Sequence, residues 1–577
     1  MSTVAEVEPI RAHSEPRSSP LLTVRLLLAI SRFVDAHAWS SFAAVSLFCG
    51  WGHLQVLLTR HLDHDELFTF YIAQAPTVRQ LLRLTHTVDL HPPLSFLLVR
   101  VSFAIFGVSP WSCRLPFLLA FLLASALLFW FVRRLLSPLH GLIAVLFLWS
   151  TPDAYLSAEA RSYALLLCFT TLMLVSWHQA IDGDHSSNRR WWLVALAASG
   201  FGVLLSHVLG VFPYAAFFAV ELLRLWIERR RDWSLYAALL VPLSSVFAYL
   251  PIVQARSTML FAREYRITPL RMFTFYWEAI RYVATPLVAV ALLAFLWPVL
   301  RKHAAALPPA NLRVINAPFR FLLVLLSLVP LGVGLLFAYT GTAFGDRYGV
   351  VLLVPLAIVP ALVLGYRTRG DRLAGTAVAL LLAATLYFNT GGKAWLLEKV
   401  STFASPRVAV RLLYVVALFP IYPPYEAPPV PSYLAQGLAT APQVDHLDTF
   451  EPELPLVAHT GLTFLEIDHQ ESAQVAHRLY MLTDEEASRT IAHDTVFAHY
   501  ERVTEAFPMI RGKVEPYCSF ISAHPRFLVV GAYNNVQGWL LRKLNRDGAE
   551  LRAVGVCSGY TEECQIFEVS MRDAECK

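Results

Sequence analysis

The chain has 577 residues, of which 56% are apolar and only 15% charged, and its formal net charge is +5. Soluble domains sit nearer about 45–50% apolar and about 25% charged. A chain this long with so little polar surface needs lipid to solvate much of it. The small basic excess gathers at the ends of apolar runs rather than on one face, which argues against a nucleic-acid binder.

Residues 1–35 read as a cytoplasmic N-terminal tail. Their polar start, MSTVAEVEPIRAHSEPRSSP, lacks the short charged opening and nearby cleavage pattern of a secretory signal. A membrane-spanning helix needs roughly 20 mostly apolar residues. Candidate spans lie near 36–57, 114–132, 138–152, 162–180, 192–206, 210–226, 233–252, 281–299, 318–340, 348–366 and 373–389, of which 138–152 and 192–206 are short. Basic residues favour the cytoplasmic side. Arg25 and Arg32 precede the first span, so the N-terminus reads as inside. Arg133 and Arg134, Arg189 and Arg190, Arg229 to Arg231, Arg301 and Lys302, and Arg367, Arg369 and Arg372 then all fall on that same side. One apolar stretch, HPPLSFLLVRVSFAIFG at 91–107, opens with two prolines and carries Arg100. It reads as a helix in the outer interface, with a true twelfth span as the alternative.

The implied organisation is a transmembrane domain at 36–390 with a first outer loop at 58–113, a proline-rich linker region at 391–454, and a soluble domain at 455–577. In that last domain PLVAHTGLTFLEI and RFLVVGAY read as strands, and Thr483-Asp-Glu-Glu opens a helix. The fold class is therefore an all-α polytopic membrane protein of about eleven transmembrane helices with a small C-terminal α/β domain outside the membrane. Four cysteines in the tail (Cys518, Cys557, Cys564 and Cys576) favour disulfides there. A zinc site is the weaker reading, because no CxxC pair occurs. Cys49, Cys113 and Cys168 read as apolar fillers in or near spans.

Ionisable residues beside apolar spans are costly and call for a reason. On the outer side they gather at five places: HLDHDELFTF with Asp63, Asp65 and Glu66; the Asp89 to Pro93 segment with His91; TPDAYLSAEARSY with Asp153, Glu159 and Arg161; Ser206-His207; and FGDRY with Asp346, Arg347 and Tyr348. One polar cavity at the outer interface would bring them together. Each has a plainer explanation. Asp63 and Glu66 could lie in a solvated loop, and Asp65 could cap the helix ELFTFYIA. His91 could be a turn residue, and Glu159 with Arg161 an interfacial pair. His207 could be a satisfied buried histidine, and Asp346 with Arg347 an outer-loop ion pair.

DHDELFTFYIA, VDLHPPLSFLL, FGVSPWSCRLPFLLA and YLSAEARSYALL, in this order and spacing, resemble the GT-C glycosyltransferases. The nearest likeness is to the protein O-mannosyltransferase and aminoarabinose-transferase group. Asp65-Glu66 matches that group's acidic pair, His91-Pro92-Pro93 its HPPL segment, Arg114 to Pro116 its RLP segment, Glu159 to Tyr163 its EARxYAL pattern, and Arg347-Tyr348 its late RY. Asp63 and His64 make the acidic patch richer than the family's simple pair, and the aminoarabinose-type enzymes often carry Lys where His91 stands.

The resemblance implies a hexosyl or pentosyl transferase of GT-C fold in the bacterial inner (plasma) membrane. Its partners would be a polyprenyl-phosphate sugar donor, a glycan, lipid or protein acceptor, and the bilayer. It implies Asp65 and Glu66 as the catalytic residues, with Asp65 as the base, and donor-phosphate binding by His91, Arg161, Arg347 and Tyr348. Asp63, Asp153, Glu159 and His207 would complete the substrate site. No cofactor is expected, because fixed cations supply the charge; a divalent metal ion held by Asp63, Asp65 and Asp153 is the alternative. The competing function classes are a lipid-carrier transporter or flippase and a non-catalytic carrier-lipid-binding protein.

The charge pattern makes one direct prediction. A periplasmic reporter fused after residue 440 should be active and one fused after residue 230 inactive; the opposite pattern would reverse the orientation of every site named above.

Overall fold

The computed structural model describes residues 22–182, 188–229, 231–256, 259–261, 267–300, 316–341, 344–387, 429–560 and 562–571. The tail before residue 22, Arg230, Arg301, Lys302, Cys576 and the linker from 391 to 428 lie outside the described residues, as does the Asp346 side chain.

The N-terminal two-thirds is a helical bundle. Its helices are α1 (Leu22–Ala36), α2 (Ala38–Thr59), α3 (His64–Ala73), α4 (Val78–Thr87), α5 (Leu94–Phe106), α6 (Pro110–Leu135), α7 (Pro138–Trp149), α8 (Tyr163–Asp182) and α9 (Arg189–Ser206). These are followed by α10 (Val211–Glu228), α11 (Trp233–Leu240), α12 (Leu250–Arg256), α13 (Pro269–Arg281), α14 (Ala284–Leu300), α15 (Ala317–Thr340), α16 (Leu353–Arg367) and α17 (Arg372–Tyr387).

Every one of the eleven expected apolar runs falls on a helix, but length separates them. Among the described residues six helices are long and apolar enough to cross a membrane, or seven if α13 and α14, bent by 76° at their junction, make one span. The segments at 94–106, 138–149, 233–247 and 372–387 are shorter apolar helices. Helix α7 shows why a short run can still be so apolar. Its 12 residues would extend only about 18 Å at 1.5 Å per residue, against a hydrocarbon core of about 30 Å. All of them after Pro138 are buried, among α2, α6, α16 and α17. A helix apolar on every side belongs inside protein. By contrast α2 turns Leu47, Phe48, Trp51 and Leu58 outward, as a lipid-facing helix does.

Residues 22–36, read above as tail, form α1. The run LTVRLLLAISRFV repeats apolar residues at helical spacing. The helix lies against α7 and α17, and Asp35 pairs with Arg372 at 2.9 Å.

The C-terminal domain holds a six-stranded sheet in the order β3-β2-β1-β4-β6-β5, formed by β1 (Leu456–Ala458), β2 (Leu479–Thr483), β3 (Lys513–Pro516), β4 (Arg526–Val530), β5 (Glu550–Cys557) and β6 (Cys564–Ser570). β1 to β4 pair in parallel, and β6 runs antiparallel to both β4 and β5. Only the head of PLVAHTGLTFLEI is a strand. Thr460 accepts a hydrogen bond from the Thr463 N–H and starts the helix Gly461–Gln470, because a threonine ahead of an apolar run at helical spacing is a cap. The domain also begins earlier than expected. The helix Ser432–Thr440 packs on β5, Gln443 bridges Val556, and Arg478 donates to the carbonyls of Leu447, Phe450, Glu451 and Leu454.

Cys557 and Cys564 form a disulfide where β5 meets β6, and Cys518 is disulfide-bonded as well. Thiol labelling of the denatured, unreduced chain should therefore leave Cys557 and Cys564 unmodified while Cys49, Cys113 and Cys168 react. Modified Cys557 and Cys564 would contradict the pairing.

Candidate active site

The site is built on the first turn of α3. Asp63 is its N-cap: its Oδ1 accepts the Glu66 N–H at 2.9 Å, and Glu66 Oε2 accepts the Asp63 N–H at 3.2 Å. This reciprocal capping box removes the plain explanation of Asp65 as the cap. Asp65 is left pointing into the site.

Glu66 is fully buried and saturated. Its Oε1 accepts from Arg114 Nε (2.7 Å) and from the Ala160 N–H (2.7 Å). Its Oε2 accepts from Arg114 (2.5 Å) and Arg60 (2.9 Å). The Arg114 side chain has no exposure at all. It also donates to the carbonyls of Leu57 (3.3 Å), Arg60 (2.7 Å) and His61 (2.7 Å), where the end of α2 leaves acceptors unsatisfied. One ion pair thus joins α2, α3, α6 and the Glu159-Ala160-Arg161 turn. The sequence reading placed Glu66 beside the reacting group; the geometry spends its oxygens on scaffold.

Asp65 faces a different set of cations. Arg347 meets its Oδ2 at 2.6 Å and holds Glu159 Oε1 at 2.8 Å with its other arm. The His64 Nδ1 lies 3.6 Å from Asp65 Oδ1. Arg161 donates to the Asp65 carbonyl at 3.1 Å and pairs with Asp89 at 3.1 Å. Asp89 also lies 3.3 Å from His91 Nδ1, and Leu90 between them has φ +55°, a left-handed conformation that is a genuine outlier for a bulky residue. The pairs on either side hold that turn. The ring of His207 is 5.2 Å from that of His91, 5.1 Å from Tyr163 and 6.1 Å from Tyr348, and Arg347 lies 5.6 Å over Tyr163. Asp153 is buried in the neighbouring 3-10 segment Pro152–Ala158.

All five polar segments therefore meet at one end of the bundle. The helices that begin or end there, α6, α8, α9, α10 and α16, carry Arg133-Arg134, Asp182, Arg189-Arg190, Arg229 and Arg367 at their far ends.

Burial by itself would keep Asp65 protonated, but Arg347, then Arg161 and His64, outweigh it and hold the carboxyl well below the usual carboxylate range. Burial pushes Glu159 up to about 7, with Arg347 opposing and the other acids adding. Burial together with Glu66 and Asp65 likewise pushes Asp63 up to about 7. Asp65, like Asp89, is thus held toward its charged form, and it sits beside a guanidinium that is 33% exposed. Among the described residues no group of three or more His, Cys, Asp or Glu is arranged to hold a metal ion.

Residues 90–249 match the family model of dolichyl-phosphate-mannose-protein mannosyltransferase. This is a family of the GT-C glycosyltransferases, the group that the motifs quoted above resemble. The matched stretch contains His91, Asp153, Glu159, Arg161 and His207; Asp65 and Arg347 flank it on either side. Among solved structures the chain is similar to ArnT from Cupriavidus metallidurans in the apo state, with 16% identity over 92% of this chain and 98% of that one and a TM-score of 0.47. For the same protein bound to undecaprenyl phosphate the figures are 16%, 96%, 99% and 0.42. No curated protein matches.

Sequence reasoning missed three participants. Arg114 was visible only as part of an RLP motif, Asp89 only as the start of the segment that holds His91, and Arg60 not at all. The available signal was an excess of outer-loop acids needing buried cations. Removing Glu66 tests the scaffold. Glu66→Ala leaves Arg114 buried without its counter-charge, which costs about 3–5 kcal/mol. The variant should melt well below both wild type and Asp65→Asn in detergent; an unchanged melting temperature would dismiss the pair as a structural tie.

Proposed function

We propose that the protein is a membrane glycosyltransferase that moves a sugar from a polyprenyl-phosphate carrier to an acceptor hydroxyl at the outer membrane face. The observation that carries this reading is the Asp65–Arg347 pair at 2.6 Å, set among Arg161, His91, His207, Tyr163 and Tyr348 and flanking a stretch that matches a sugar-phosphate-dependent transferase family.

The acceptor oxygen attacks the anomeric carbon as the bond to the carrier phosphate breaks, so configuration inverts. The acceptor's proton goes to Asp65. The departing phosphate needs fixed cations rather than a general acid, and arginine meets phosphate with two parallel donors. Arg347 is the cation best placed for this: its side chain is 33% exposed, against 8% for Arg161. Arg161, braced by Asp89, contributes a fixed positive charge behind it, and His91 extends the cationic rim.

The two roles of Arg347 are linked. Before donor binds, it suppresses the basicity of Asp65. A carrier phosphate that draws the guanidinium toward itself restores that basicity when the acceptor must be deprotonated.

The test uses the purified full chain in vesicles, offered labelled polyprenyl-phosphate mannose and polyprenyl-phosphate aminoarabinose together with an envelope fraction as acceptor. Label should move from the carrier to that fraction. Asp65→Asn should fold, bind polyprenyl phosphate, and lose turnover by at least about a hundredfold, the lower range for a general base. Arg347→Ala should instead weaken polyprenyl-phosphate binding, with partial recovery in Arg347→Lys. Absence of transfer by wild type, or full turnover by Asp65→Asn, defeats the reading.

A further inference from the structure

The C-terminal domain sits directly on the helix that carries Asp65. Its helix Gly461–Gln470 packs against α3. Phe507 stacks near Phe68 and Tyr71 (6.5 and 5.4 Å between ring centres), and the Tyr71 hydroxyl lies 3.1 Å from His469 Nδ1. Two contacts reach the residue next to Asp65. Glu466 Oε1 accepts the backbone N–H of His64 at 3.0 Å, and the Tyr500 hydroxyl lies 3.3 Å from His64 Nε2.

Both contacts have a physical reason. The first N–H groups of a helix have no partner within it, and a carboxylate there also meets the positive end of the helix dipole. Asp63 serves the Glu66 N–H, and Glu466 serves that of His64. Both Glu466 and His64 are buried, so the hydrogen bond is shielded from water.

Tyr500 in turn donates its hydroxyl to the Gly461 carbonyl at 2.9 Å, so its oxygen is the acceptor for a proton on His64 Nε2. A β-carbon on Gly461 would come within 2.6 Å of the Tyr500 ring and 2.5 Å of Phe497. Only glycine lets the phenol lie this close to the helix start. The imidazole is thereby held at Nε2 by Tyr500, with its Nδ1 3.6 Å from Asp65 Oδ1, beyond hydrogen-bond distance, and with Phe68 and Phe497 packed against the ring.

We infer that Glu466 and Tyr500 of the C-terminal domain are positioning residues for the reaction: they fix the backbone and imidazole of His64 and, through the first turn of α3 that His64 shares with Asp65, the placement of the Asp65 carboxylate. The inference rests on the reading of Asp65 as the base. It gives the C-terminal domain a part in catalysis, since the first turn of α3 is completed by groups from outside the bundle.

The experiment is a double-mutant cycle on the purified full chain with the transfer assay above, each variant checked by thermal unfolding in detergent. Tyr500→Phe should lower kcat about tenfold, the effect of one buried hydrogen bond, with the donor KM unchanged. In an Asp65→Asn background the same substitution should cost less than about twofold, because residues that act through one another are not additive. Glu466→Gln keeps the acceptor and should stay near wild type, whereas Glu466→Leu should lose about tenfold; this pair carries the test if Tyr500→Phe does not fold. Wild-type kcat in Tyr500→Phe and Glu466→Leu, or a Tyr500→Phe loss of equal size in both backgrounds, overturns the inference while leaving the proposed function standing. Full turnover by Asp65→Asn alone overturns both.

Discussion

Arg114 and Glu66 have no solvent exposure and hold each other through two hydrogen bonds. Taking two charges out of water costs several kcal/mol for each ion, and attraction repays this only where every remaining donor and acceptor is satisfied. That condition is met here by the carbonyls closing α2, by the Ala160 N–H and by the capping box of α3. The ion pair is therefore a registry device. It dictates where α3 starts relative to α6, and so where the side chain one residue before Glu66 points.

The electrostatics of the site follow from that placement. Five carboxylates (Asp63, Asp65, Glu66, Asp89 and Glu159) crowd around four guanidiniums (Arg60, Arg114, Arg161 and Arg347). Such a set cannot keep every acid charged in a poorly solvated pocket. The strain is released at Asp63 and Glu159, whose carboxyls rise to about 7, and not at Asp65, which has Arg347 and Arg161 on its side.

The C-terminal domain belongs to the same construction. Its parallel strands β1 to β4 fix the helix Gly461–Gln470 by its N-terminus, and that helix presents Glu466 to α3. A domain that merely hung from a linker would leave the N–H of His64 without the carboxylate that accepts it here.

The sequence by itself determined what is local. Whether a run forms a helix that avoids water depends on composition over about 20 residues, so the helices at 38–59, 110–135 and 317–340 were legible, and so were the five polar segments between them. Length was the weak point, because an apolar run such as 138–149 can be solvated by protein as well as by lipid. Residues 22–35, read as tail, carry apolar residues at helical spacing and form α1; the stretch after Ala458 reads as a strand unless Thr460 is recognised as the cap of the helix that follows. Only the tertiary structure decided partners. Glu66 and Asp65 are adjacent acids of equal charge, yet one meets Arg114 and the other Arg347, 48 and 282 positions away. Ion pairing acts at about 3 Å, and no pattern along the chain specifies which of many arginines arrives within that distance; the packing of α3 against α6 and the placement of the 3-10 segment ahead of α16 do.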